Sequence, residues 1–93
     1  MIRIRLLVLE ENLKRILGGK NLVFEISENE ATVKKLIERI VAKHGDKVRK
    51  ILSKPDVSIL LNGQYLEFLG GENAKLSDGD RIAIIPPIAG GRT

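Results

Sequence analysis

No cysteine occurs in the 93 residues, and the only histidine is His44. The first absence excludes disulfides, thiolate metal sites and a cysteine nucleophile. The second leaves a histidine metal site or a Ser–His relay without a partner. Tryptophan is also missing, and Phe24, Tyr65 and Phe68 are the whole aromatic complement, so the core must be built from Ile, Leu and Val. No apolar run approaches the ~18 residues of a membrane helix. The opening Met1-Ile2-Arg3-Ile4-Arg5 alternates charge with isoleucine, which is a strand pattern and not a cleavable leader. No phosphate-cradling glycine loop is evident. These absences predict no catalytic residues, no metal, no bound cofactor, no membrane association and a cytoplasmic location.

What is present is enough for one small domain. The formal net charge is +4, and the basic residues cluster: Lys34, Lys35, Arg39, Lys43, Lys47, Arg49, Lys50 and Lys54 face only Glu38 and Asp46 in the same stretch. Such a cluster reads first as a solvated helix surface. It can also be read as a site for an acidic partner or RNA on the face carrying Lys34, Lys35, Arg39 and Lys43. No aromatic residue lies between the charges to stack on bases, so nucleic acid is the less favoured partner.

Along the chain, residues 2–9 read as a strand in which Ile2 and Ile4 alternate with Arg3 and Arg5. A polar stretch with a short helical turn over 12–17 leads to a second strand, 21–27, with Leu22, Phe24 and Ile26 on one face. Thr32 is placed to cap a helix whose stripe is Val33, Leu36, Ile37, Ile40 and Val41. Gly45 suits its C-terminal end. Asp46 is placed to cap a second, short helix through Leu52, stopped by Pro55. Residues 57–61 form a third strand, Asn62-Gly63 a type I′ turn and residues 64–66 a short return. A turn at Leu76-Ser77-Asp78-Gly79-Asp80 feeds the last strand, residues 81–85. Asp78 and Asp80 across one glycine read as a turn before they read as a metal site. The first and last strands are the most apolar, as central parallel neighbours would be. A ferredoxin-like fold remains compatible with composition, but one long helix favours α+β of the β-grasp type, with four to five strands in a mixed sheet packed on one main helix.

The expected domain is 1–85, followed by a flexible tail, 86–93. Pro86 and Pro87 remove two amide donors and fix φ, so the chain should leave the sheet in extended form. Ile88, Ala89, Gly90 and Gly91 then offer little side-chain bulk, and glycine lets another backbone approach closely. Such a tail is suited to insertion into a narrow channel.

Two pieces together, the turn Leu61-Asn62-Gly63 and the run from Leu76-Ser77-Asp78-Gly79-Asp80 through Ile84-Ile85-Pro86-Pro87-Ile88-Ala89-Gly90-Gly91, resemble the small sulfur carriers. These comprise the MoaD-type small subunit of molybdopterin synthase, the ThiS-type thiamin-pathway relative and the archaeal small modifiers. The resemblance implies a carrier, not an enzyme. An activating enzyme related to those of ubiquitin would use ATP to adenylate the terminal glycine, here Gly91, and sulfur would replace AMP to give a thiocarboxylate. Pro86, Pro87, Ile88, Ala89, Gly90 and Gly91 would enter the partner. The implied partners are that adenylating enzyme, the large subunit of molybdopterin synthase and, in some relatives, lysines of target proteins.

Family chains end at the second glycine, whereas here Arg92 and Thr93 follow it. Three readings are open. A protease removes Arg92-Thr93, which is the preferred one; the dipeptide is a remnant; or this chain has lost the chemistry and kept the fold for binding. Ile84-Ile85 also stands where the resemblance implies aromatics. The resemblance further implies docking through the exposed sheet face near the tail; either Ile82 and Ile84 or Ala83 and Ile85 point inward, and in either case the opposite face keeps apolar area for a partner.

Overall fold

In the computed structural model, residues 1–87 are described. Alternation along β1 (Ile2–Val8) buries Ile2, Ile4, Leu6 and Val8 and leaves Arg3 and Arg5 in solvent. The polar stretch after it forms α1 (Glu11–Leu17), a full two turns that bury Leu13 and Leu17. Its N-cap is Glu10, a residue buried to 8% exposure whose Oε1 accepts the Leu13 amide at 2.7 Å. Gly18, at φ 81°, closes the helix by donating its amide to the Lys14 carbonyl. The chain returns as β2 (Asn21–Ile26), antiparallel to β1 from Ile2↔Ile26 to Leu7↔Asn21.

The main helix, α2 (Val33–His44), begins where Thr32 Oγ1 accepts the Lys35 amide at 3.2 Å. It buries Val33, Leu36, Ile37 and Ile40, the stripe expected from their spacing. Lys34, Lys35, Glu38, Arg39 and Lys43 are exposed. Gly45 then turns the chain, at φ 96°, directly into α3 (Lys47–Leu52). The structure corrects the expected role of Asp46. It occupies the cap position, yet its side chain makes no capping bond. Its backbone is already helical (φ −70°, ψ −14°), whereas a capping side chain needs an extended residue to reach back to the first-turn amides.

β3 (Ser58–Leu61) and β4 (Gln64–Tyr65) meet through Asn62 (φ 51°) and Gly63 (φ 84°), both positive as a type I′ turn requires. The return strand stops one residue earlier than expected. Leu66 turns inward, is buried, and starts a 3-10 turn (Leu66–Leu69), followed by another at Gly71–Asn73. The segment behind them is fastened to the start of α2, with the Val33 amide donating to the Ala74 carbonyl and the Leu76 amide to that of Ala31.

β5 (Arg81–Ile85) completes a five-stranded mixed sheet ordered β2-β1-β5-β3-β4. It runs parallel to β1, with Arg5↔Arg81 through Val8↔Ile84, and antiparallel to β3. The two most apolar strands are thus central, and α2 lies in the crossover between the hairpin and the rest of the sheet. Ile82 and Ile84 point into the core, Ala83 and Ile85 away from it, which settles the choice that their sequence leaves open. The strand ends at Ile85; Pro86 is half-buried and Pro87 exposed, neither in a strand. Ile88, Ala89, Gly90, Gly91, Arg92 and Thr93 lie outside the described residues. Among the described residues no helix is long and apolar enough to cross a membrane.

Candidate functional site

Two features meet at β5: the root that anchors it and the open face of the sheet beside its end. The root is a hydrogen-bond clamp. Asp80 Oδ2 accepts the Ser77 amide at 2.7 Å, and its Oδ1 accepts from Asn62 Nδ2 at 3.0 Å. Asn62 Oδ1 in turn accepts the Arg81 amide at 3.0 Å. Asp78 Oδ1 accepts the Arg3 amide at 2.8 Å, and the Arg5 amide donates to the Asp80 carbonyl at 3.0 Å. Gly79, at φ 88°, lets the turn close and donates to the Arg3 carbonyl. The Asp78-Gly79-Asp80 turn therefore ties the start of β5 to β1 on one side and to the β3–β4 turn on the other. Its carboxylates are occupied as acceptors for the chain's own donors, and no acidic or histidine cluster suited to a metal occurs among the described residues.

At its far end β5 stops at Ile85. The Leu9 amide donates to the Ile84 carbonyl at 2.9 Å, and after Ile85 the missing amides of Pro86 and Pro87 end the ladder. Strand register then fixes what surrounds this exit on the open face. One row across the sheet is Asn21, Leu7, Ala83, Leu60 and Tyr65. The next, closer to the exit, pairs Ile85 with Ser58. Leu7, Ala83, Leu60 and Ile85 are half-buried, so an apolar band adjoins the exit without a covering layer. It is extended sideways by Tyr65 and Phe68, 49% and 79% exposed, whose rings meet edge to face at 6.2 Å. Two of the three aromatic residues thus lie at the surface beside this band, which is how interfaces and not cores use them.

The other end of the same face is charged. The Arg3 guanidinium pairs with Glu25 at 3.1 Å. Arg5 and Arg81 stand directly opposite each other on parallel strands, both exposed, with no ion-pair partner among the described residues. The face is therefore graded, arginine-rich where β5 begins and apolar where it ends. Sequence reasoning found the tail motif and the Asp-Gly-Asp turn but not this gradient. Its members come from five strands, and only the strand order puts Leu7 beside Ala83 and Ala83 beside Leu60.

Of the expected tail, the structure places Pro86 and Pro87 at the exit; Ile88, Ala89, Gly90, Gly91, Arg92 and Thr93 continue from there in sequence. The basic residues of α2 stay on a solvated helix face, with Arg39 donating to the Glu25 carbonyl at the sheet edge.

Comparison with known proteins gives concordant findings. The model of the ThiS family matches residues 11–91, nearly the whole chain and both glycines of the terminal pair. A protein of Archaeoglobus fulgidus named as a sulfur carrier is 32% identical over 72 residues, 72% of this chain and 82% of that protein. Small archaeal modifier protein 3 of Haloferax volcanii is 28% identical over 82 residues, 84% of this chain and 88% of that protein. Among solved structures, a chain in the crystal structure of the Amycolatopsis orientalis BexX/CysO complex superposes with a TM-score of 0.70 at 26% identity, covering 95% of this chain and 99% of that one.

Proposed function

This chain belongs to the ThiS family of ubiquitin-like sulfur carriers and protein modifiers, and from that premise we propose that its reacting group is the carboxyl of Gly91, freed by hydrolysis of the Gly91–Arg92 peptide bond. That hydrolysis comes first because an internal peptide carbonyl carries no carboxylate oxygen to attack ATP. Once freed, the carboxylate attacks the α-phosphate of ATP on a partner adenylating enzyme and releases pyrophosphate. A sulfide equivalent then attacks the acyl carbon, AMP leaves, and the chain carries a thiocarboxylate. The domain contributes binding and positioning, and the partner contributes the catalytic groups.

One observation carries this reading: the strand that leads to the Gly-Gly pair is central, pinned at its root by Asp78 and Asp80, and terminated by two prolines next to an uncovered apolar band. The band is the surface on which a partner would seat while the tail reaches into it. Gly91 lies five positions beyond Pro86, enough in extended form for ~17 Å of reach. The preset φ of the prolines lowers the entropy lost when the tail is ordered.

Two fates of the sulfur or acyl group follow from the relatives. Transfer of sulfur to a pterin precursor on the large subunit of molybdopterin synthase is the first. The modifier name of the Haloferax relative favours the second, in which a lysine amine of a target protein attacks the activated Gly91 carbonyl, AMP leaves and an isopeptide bond forms. Intact-mass analysis of the chain from its native host tests the proposal. A species ending at Gly91, with one oxygen replaced by sulfur or with Gly91 joined to lysine, is expected. A population that keeps Arg92-Thr93 and forms no adenylate with ATP and the cognate activating enzyme would falsify it.

A further inference from the structure

The helical side of the molecule carries a second surface with a different character. α1 and α3 pack against each other and leave a trough between them whose lining includes Ile16 and Ile51 along the floor and Arg15, Lys47, Lys50 and Lys54 along the rim. No carboxylate lines it. Among the described residues the ion pairs are Arg3–Glu25 and Lys14–Glu11, so these four cations have no partner in the fold. Four cations without an ion-pair partner are thus gathered along one trough whose lining holds no carboxylate. Lys47 and Lys50, one turn apart on α3, share this lining with Lys54, two residues past the helix.

We propose that this trough is a docking site for an acidic amphipathic helix of a partner protein, separate from the sheet face used in tail transfer. The floor favours that occupant. A phosphate backbone gains nothing from Ile16 and Ile51, and no aromatic residue lines the trough to stack a base. A helix with apolar residues at i and i+4 flanked by carboxylates matches both floor and rim. α1 and α3 have 7 and 6 residues, so they span about 10 Å, or two turns of such a helix. The trough also lies at the end of the molecule where β5 stops. α1 starts just beyond Val8, which is in register with Ile84 near the end of β5. A partner held there stands near the end of β5 while leaving the open sheet face free.

The test needs no sulfur chemistry and so stands apart from the role of Gly91. The full chain, labelled with nitrogen-15, is titrated with a synthetic helical peptide bearing leucines at i and i+4 among glutamates, and with the same peptide carrying serine for leucine. Expected are amide shifts concentrated on Arg15, Ile16, Lys47 and Ile51, and weaker binding by the serine peptide. Lys47→Glu with Lys54→Glu should weaken binding by roughly tenfold or more, and Lys34→Glu with Lys35→Glu, the same charge change on α2, by less than about threefold. Melting curves check that each variant is folded. Equal losses from the two double variants would reduce the effect to net charge and overturn the proposal. So would shifts confined to the sheet face, equal binding of the serine peptide, or displacement of the peptide from α1 and α3 by single-stranded oligouridylate at equal concentration.

Discussion

The two faces of the sheet are made by the same strands, yet they follow different rules. The inner face is uniform: Ile2, Ile4, Leu6, Val8, Ile82 and Ile84 are all aliphatic and buried against α2 and its neighbours. The outer face changes along its length, from Arg3, Arg5 and Arg81 at one end to Leu7, Leu60, Ala83 and Ile85 at the other. Stability explains the first, since burial of aliphatic area is its main source. It does not explain the second. Arg5 opposite Arg81 places like charges side by side, which disfavours folding slightly. A half-exposed aliphatic band gains only part of its transfer energy. The inner face is what folding selects, and the outer face is what a partner would select.

That contrast can be broken by mutation. The largest effect should come from the inner face. Ile4 is completely buried, and Ile4→Ala should lower the unfolding free energy by about 2–5 kcal/mol, read from a denaturant titration at unchanged fold. A loss under about 1 kcal/mol would mean that the inner face is not the core described here. An intermediate effect belongs to the clamp that joins both faces at the root of β5. Asp80→Ala leaves the Ser77 amide and Asn62 Nδ2 without their acceptor, and should cost about 1–3 kcal/mol, with faster hydrogen exchange at Ser77 and Arg81. The smallest change in stability should follow Leu60→Ser on the outer face, under about 1 kcal/mol. In a chain trimmed to Gly91, the same variant should nevertheless slow adenylate formation by the cognate activating enzyme, measured as pyrophosphate release. If it destabilises as much as Ile4→Ala, the outer band is core and not interface.

Local rules made much of the fold legible in the sequence. The stripe of α2, its Thr32 cap, the positive φ values of Asn62 and Gly63 and the end of β5 before Pro86 each depend on a few neighbouring residues. What stayed hidden depends on partners distant in the chain. Asp46 has the right residue type for a cap, but Gly45 joins α2 to α3 so tightly that its backbone is already helical. Glu10, an uncommon cap, does the corresponding task for α1. The orientation of residues 81–85 could not be read because apolar side chains alternate with apolar side chains there; pairing with both β1 and β3 decides it. The same holds for the candidate site. Asp78, Asp80 and the proline pair are visible as a motif, and an apolar patch on the open sheet face near the tail is expected; which residues form that patch, and the basic trough itself, emerge only once five strands and two short helices are in place.

Because β5 lies between β1 and β3 and is tied down at its start, it transmits force in a particular way. A pull on the chain beyond Pro86 runs along the strand axis, across the hydrogen bonds on both sides. The bonds are loaded together, in shear, instead of being opened one after another as at a sheet edge. A protein that grips the terminus thus meets a mechanically stiff handle. It can draw on the last residues without unravelling the body that presents them.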